Sequence, residues 1–159
     1  MNAILEHQYP LFELYQGLRN DVLAGLSDED LAYSPGGGAP TLGELCLEIG
    51  ETEQAYIDSF RTFRLDFSYR HPQRGLSRSV SGLQAWYAEL DAQLHHAVES
   101  LSDADLENRK VDRGPDFKVS PGVQLEIYKE ALLIFYGKVW VYLQITGKKL
   151  PARFADWIG

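Results

Sequence analysis

The sequence of 159 residues is poor in cysteine, because Cys46 is the only one. A single thiol excludes an internal disulfide and a zinc site built from several thiolates. A hydrophobic core must therefore hold the fold, and one domain over residues 1–159 is long enough to bury roughly two thirds of its unfolded surface. We expect Cys46 to be a small buried hydrophobe, since no base lies nearby in sequence to activate its thiol.

Positive charge is also scarce. The chain has 15 Lys and Arg residues against 23 Asp and Glu residues, which gives a formal net charge of −8. A nucleic-acid-binding face needs clustered Lys and Arg for contacts to phosphates, so this class of function is excluded. One segment is locally basic, and we expect it to be a solvated loop; it contains Arg61, Arg64, Arg70, Arg74 and Arg78.

The sequence lacks an apolar run that is long enough to cross a membrane. Its most hydrophobic stretch, residues 129–145, is shorter than the ~20 apolar residues that a bilayer requires, and Lys138 lies at its centre. The first residues do not combine a basic region with an apolar core, as a secretory signal would. These features predict a cytoplasmic protein with neither a membrane nor a nucleic acid as its partner.

Four segments show helical periodicity and predict long helices. The first begins near Pro10, which suits a first helical turn, and ends before Gly25. The second opens at a capping box, in which Thr41 and Glu44 satisfy each other's backbone amides, and runs to about Phe63.

The other two predicted helices lie in the second half of the chain. The third opens at another capping box, formed by Ser81 and Gln84. The fourth begins with Ser120 as its cap and Pro121 in its first turn, and it ends before Gly147. No segment shows the sustained alternation of a strand, and residues 102–119 are predicted to be a loop.

Two short passages repeat each other at corresponding places. Residues 26–31 read LSDEDL and follow the first helix, and residues 101–106 read LSDADL and follow the third. The repeat predicts two helix–loop–helix halves related by an approximate two-fold axis, although chance and common loop chemistry also produce matches of this length. With either origin the predicted fold class is all-α, a four-helix bundle with long connections.

The fourth helix is apolar on almost every side. We expect its inward row to be Ile127, Ile134, Val141 and Ile145. Other flanks are also apolar, through Leu132, Leu133, Tyr136, Val139 and Trp140. A helix that is apolar all round must be covered all round, and a bundle leaves one flank free. A loop or a second chain must then cover this flank, and we expect a homodimer.

Three passages resemble the DinB/YfiT-like family of bacterial four-helix-bundle proteins, a superfamily associated with metalloenzymes. They are "LSDEDLAYSPGGGAPTLGEL" at residues 26–45, "LCLEIGETEQAYI" at residues 45–57 and "ALLIFYGKVWVYLQITGKKLP" at residues 131–151. The last passage is similar to the end of the family's final helix, with its Gly-Gln pair and a Gly-x-x-x-Pro exit. The resemblance extends over nearly the whole chain.

The resemblance implies a divalent metal site, often of zinc or nickel, with one histidine from the second helix and two from the fourth. Some members use the metal to activate a thiol for transfer or isomerisation. Matched position by position, the histidines fall at Glu48, Ala131 and Phe135, and the glutamine of the Gly-Gln pair falls at Lys138. A methyl group and a phenyl ring cannot ligate a metal ion. The resemblance thus implies the family fold without its usual metal centre.

Three functions remain as alternatives. The first is a non-catalytic module that binds a small ligand or a partner without a metal cofactor. The second is a metal-dependent enzyme, of thiol S-transferase or hydrolase type, whose site is rebuilt from Glu48 with His7 or with another Glu that faces the bundle interior. The third is an oligomerisation scaffold. The remaining histidines are expected at the surface, because His95 and His96 diverge by ~100° on one helix and His71 lies in the basic loop.

Lys138 in the middle of the apolar helix allows two interpretations. In the first it lies on the flank of Phe135 and neutralises Glu48 in an ion pair, because an unpartnered buried carboxylate costs several kcal/mol. Tyr128 or Tyr142 would then complete the network with a hydroxyl group. In the other interpretation Lys138 extends to water and Glu48 lies on the solvated edge of its own helix.

Overall fold

Four long helices form a bundle, and the shorter elements lie in the connections between them. The computed structural model describes residues 2–159. Its helices are α1 (Ala3–His7), α2 (Tyr9–Ala24), α3 (Asp28–Leu31), α4 (Leu42–Thr62), α5 (Val80–Glu99), α6 (Asp103–Asn108), α7 (Pro121–Ile145) and α8 (Ala152–Ile158). A 3₁₀ turn covers Arg74–Arg78. The predicted all-α four-helix bundle is confirmed, and no helix within the described residues is long and apolar enough to span a membrane.

Side-chain caps determine where two of the long helices begin. The Thr41 hydroxyl accepts a hydrogen bond from the amide of Glu44 at 3.1 Å, and the Glu44 carboxylate accepts one from the amide of Thr41 at 2.7 Å. The Ser120 hydroxyl caps α7 by accepting a hydrogen bond from the amide of Val123, with Pro121 in the first turn. Both predicted starts are confirmed.

The predicted start of α5 is wrong by two residues. Ser79, not Ser81, is the N-cap, and its hydroxyl accepts a hydrogen bond from the amide of Gly82 at 3.1 Å. The 3₁₀ turn ends just before Ser79 and leaves it in extended backbone, which is the conformation that an N-cap requires. Ser81 falls in the first turn instead. Two serines near a helix start cannot be ranked by spacing alone.

The repeated sequence passages form matching structures. In each, the serine caps a short helix and the aspartate three residues later completes a capping box: Ser27 with Asp30 at α3, and Ser102 with Asp105 at α6. The predicted loop over residues 102–119 is therefore partly wrong. It contains α6 and a hairpin of β1 (Val111–Asp112) and β2 (Lys118–Val119), whose strands are too short to produce a visible alternation.

The predicted inward row of α7 is also wrong. Ile134, Val141 and Ile145 are 64%, 44% and 57% exposed. The buried face consists instead of Pro121, Gln124, Leu125, Tyr128, Leu132, Phe135, Tyr136, Val139, Tyr142 and Leu143. Because α7 is apolar on nearly all sides, the periodicity of its sequence does not determine which side turns toward the core.

Glycine allows the segment before α5 to pass close to α4. A Cβ atom at Gly43 would collide with the backbone carbonyl of Ser77, so this position has no room for a larger residue. Gly137 on α7 is different, because a Cβ there would meet nothing within 4 Å.

We expect Gly43→Ala to lower the free energy of unfolding by about 1–3 kcal/mol, since the collision involves backbone atoms that cannot move cheaply. Gly137→Ala is the matched control and should raise it by about 0.5–1 kcal/mol through helix propensity alone. Urea denaturation of both variants measures the difference. Equal stabilities of the two variants would contradict the close packing at Gly43.

Candidate functional site

A cavity of about 160 Å³ lies between α4 and α7. Its lining consists of Leu45, Glu48, Ile49, Thr52, Ala131, Ile134, Phe135 and Lys138. All four positions that the resemblance singled out therefore line one cavity. The floor is apolar, and the charged Glu48 and Lys138 are exposed at its rim.

The cavity exists because the two helices present small or short side chains where they face each other. Ala131 and Thr52 leave space that a larger residue would fill, while Phe135 one turn further along α7 is buried and closes the floor. The cavity adjoins a wider cleft of about 550 Å³, which shares Glu48, Thr52 and Ala131 as lining residues.

The basic segment contributes to this cleft, although its arginines are exposed, as predicted for a solvated segment. Arg74 forms a salt bridge with the buried carboxylate of Glu51, and Arg70 approaches the same group at 3.9 Å. The backbone amide of His71 also donates a hydrogen bond to Glu51, at 2.9 Å. Part of the segment is therefore packed on α4 and forms a wall of the cleft.

Of the two interpretations of Lys138, the structure agrees with the one in which Lys138 and Glu48 both face water, and the ion pair between them is not formed. No salt bridge or hydrogen bond involves either side chain in the part of the chain that the structure describes, and both are exposed. The hydroxyl of Tyr142 donates to the carbonyl of Pro40 at 2.6 Å, and the buried hydroxyl of Tyr128 has no hydrogen-bond partner. Water solvates the two charges at the rim, which removes the need for a partner.

The residues at the cavity do not fit the metal that the resemblance implies. Ala131 and Phe135 offer no ligand atom, and Glu48 is the only carboxylate or imidazole in the lining. Across residues 2–159, no group of three or more His, Cys, Asp or Glu side chains is placed to hold a metal ion. A zinc site requires three or four such ligands.

The remaining candidate residues lie away from the cavity. His7 is exposed beside Glu6, and His95 and His96 are exposed on α5. Cys46 is buried, and this burial raises the pKa of its thiol to about 12, which confirms the prediction of an inert hydrophobe.

A buried ionic cluster was missed by the sequence analysis. Arg19 of α2 forms salt bridges with Glu53 of α4 and Asp91 of α5, and the side chains of Arg19 and Glu53 are 0% exposed. Gln16 donates a hydrogen bond to the Glu53 carboxylate at 2.6 Å, and the guanidinium lies 4.3 Å from the ring centroid of Tyr87. The sequence did contain an indication that these two residues are buried. Arg19 and Glu53 have the same helical spacing as the apolar residues of their helices.

The cluster holds two carboxylates against one guanidinium. Burial raises the pKa of Asp91 to about 7, while the Arg19 charge opposes this rise and the Glu53 carboxylate adds to it. Asp91 is the most accessible member, with a side chain that is 27% exposed. A proton on Asp91 would therefore relieve the excess negative charge at the site where water can deliver it.

Comparisons with known proteins agree with this architecture. A sequence model of the DinB superfamily matches residues 13–128. The crystal structure of a DinB-like protein from Bacillus subtilis superposes with a TM-score of 0.70 at 17% sequence identity, over 96% of this chain and 98% of that one. At this identity the likeness shows the fold alone. None of the curated protein sequences matches the chain.

We expect the free energy of unfolding to fall as the pH rises from about 4 to about 7. In this interval folded Asp91 holds a proton that unfolded Asp91, with its ordinary pKa of 3.8, has lost. The folded state then binds more protons, so a rising pH favours unfolding. Asp91→Asn imitates the protonated form. Relative to the natural protein, this variant should gain stability between pH 5 and pH 8, as measured by urea denaturation at each pH.

Asp156→Asn, at an exposed position on α8, is the control for a general effect of removing one carboxylate. Its stability difference from the natural protein should stay constant over the same pH range. If Asp91→Asn behaves like this control, Asp91 does not hold a proton in the folded protein.

Proposed function

This chain belongs to the DinB superfamily, and we propose that it binds a small organic molecule, rather than a metal ion, in the cavity between α4 and α7. The observation that supports the proposal is the lining of that cavity. The positions matched to the family's ligands are an exposed carboxylate, a methyl group and a phenyl ring. We infer a non-catalytic binding module of the bacterial cytoplasm that acts as a homodimer.

The size and polarity of the cavity define the class of ligand. An engineered apolar cavity of about 150 Å³ binds benzene, so a volume of about 160 Å³ suits a ring or a short branched chain. Leu45, Ile49 and Phe135 are buried and provide apolar contacts. A larger ligand would extend past Ala131 and Thr52 into the adjoining cleft.

The alternative, a metal-dependent enzyme with a site rebuilt on Glu48, has less support. It needs two further ligands, and neither His7 nor a second Glu is among the residues that line the cavity. The ammonium group of Lys138 also lies at the rim, where it would repel a divalent cation.

Benzene should raise the thermal unfolding temperature of the natural protein in a concentration-dependent manner, because a ligand that binds only the folded state stabilises it. Ala131→Leu fills the cavity and should abolish the shift. Ala88→Leu, an equal change at an exposed position of α5, should leave the shift intact. The same shift in both variants would place benzene elsewhere and remove the support for this cavity.

A metal titration separates the two candidate functions. Purified protein incubated with Zn²⁺ or Ni²⁺ and then desalted should retain well under one equivalent by elemental analysis, since Glu48 alone is a weak ligand. About one equivalent per chain that is lost in Glu48→Gln would instead support the rebuilt metal site.

A further inference from the structure

The exposed flank of α7 has a symmetric pattern of side chains around Ile134. We define the α7 face as Val123, Ile127, Glu130, Ile134, Lys138, Val141 and Ile145. At 100° per residue these side chains all lie within about 40° of the direction of Ile134. Ile134 is 64% exposed, so the centre of this face is open to contact, and Ile127 is the one apolar member that is partly buried against the core.

On this face, positions equally far before and after Ile134 hold residues of matching type. Four residues away, Glu130 precedes it and Lys138 follows it. Seven residues away both positions are apolar, as are both positions eleven residues away: Ile127 with Val141, and Val123 with Ile145. When two antiparallel helices cross on a two-fold axis, a residue before the axis contacts the residue equally far behind it on the other copy.

We propose that two copies of this chain associate through antiparallel packing of their α7 faces, with the two-fold axis at Ile134. Each apolar residue then meets an apolar residue, and each Glu130 meets the Lys138 of the other copy. Parallel packing would instead bring Glu130 against Glu130 and Lys138 against Lys138. Neither side chain forms a salt bridge within residues 2–159, so both are available to a partner.

Charge explains why a second copy needs this register. Each chain carries a formal net charge of −8, so two copies repel each other at long range. The apolar row supplies burial, and the paired Glu130 and Lys138 replace repulsion by attraction at the contact itself. The arrangement requires no partner of different chemistry, because the face is complementary to itself.

Such a dimer would also complete the cavity. Ile134 and Lys138 belong both to the α7 face and to the cavity lining, so the partner's helix would cross the cavity rim. This consequence rests on the ligand site of the proposed function, whereas the interface itself does not depend on that site. A ligand in the cavity should then favour the dimer, and the dimer should bind the ligand more tightly.

Charge reversal tests the register. Glu130→Lys and Lys138→Glu each place like charges opposite each other at two points of the dimer and should raise its dissociation constant roughly tenfold or more. The double variant restores opposite charges and should recover the affinity of the natural protein. Glu89→Lys, at an exposed position of α5, controls for the change in net charge of Glu130→Lys. Sedimentation velocity without ligand, over a range of protein concentrations, provides the constants.

Single cysteines test the position of the axis. Under mild oxidation Ile134→Cys should form a disulfide-linked dimer, because the axis brings both copies of the residue together, and Val141→Cys should not. A monomer at every concentration, or a double charge variant no better than the single ones, would overturn the proposal. Ala131→Leu should still dimerise, so a failure of the ligand proposal remains distinguishable from a failure of the interface.

Discussion

The salt bridges of Arg19 with Glu53 and Asp91 are the constraint on which the rest of the bundle depends, because they join three helices in the core. Removing Arg19 or Glu53, the two fully buried members, would cost about 3–5 kcal/mol, since the other charge is left without compensation. This penalty strongly disfavours any rotation of α4 that takes Glu53 out of the core. At 100° per residue, Glu48 then lies about 140° from Glu53, which places it at the edge facing α7. The buried cluster thus determines the position of the cavity's carboxylate.

The position of α7 depends less on polar contacts and more on shape. Tyr128 stacks on Tyr56 with ring centroids 4.6 Å apart, and the Tyr136 hydroxyl donates a hydrogen bond to the carbonyl of Tyr15. These aromatic contacts select one side of a nearly uniformly apolar helix for the core. The opposite side is then exposed with its apolar residues, although no requirement of the single chain explains why they are apolar. These apolar residues are exposed because the tyrosines turn the other side of α7 toward the core.

Local sequence patterns predicted the helices and their caps. The buried ionic cluster depends on contacts between residues that are distant in sequence, which such patterns do not reveal. The cap of Thr41 with Glu44 involves neighbouring residues, so its geometry follows from spacing. The partners of Arg19 are 34 and 72 residues away, and no local pattern identifies them. The cavity was predictable only in part. The family resemblance identified positions such as Glu48. The absence of an ion pair between Glu48 and Lys138, by contrast, depends on the access of solvent to the rim of the cavity.

Ala131 and Phe135 affect both the cavity between α4 and α7 and the exposed face of α7. A metal centre would hold polar side chains at these positions and draw α4 and α7 together around the ion. With a methyl group and a phenyl ring there, the contact between the helices depends on apolar packing, which is tight at Phe135 and incomplete at Ala131. The space left beside Ala131 opens toward Ile134, the most exposed apolar residue of α7. The lack of ligand atoms at Ala131 and Phe135 and the exposed side chain of Ile134 therefore occur at one place, where a bound molecule and a second chain would both gain by removing the same apolar surface from water.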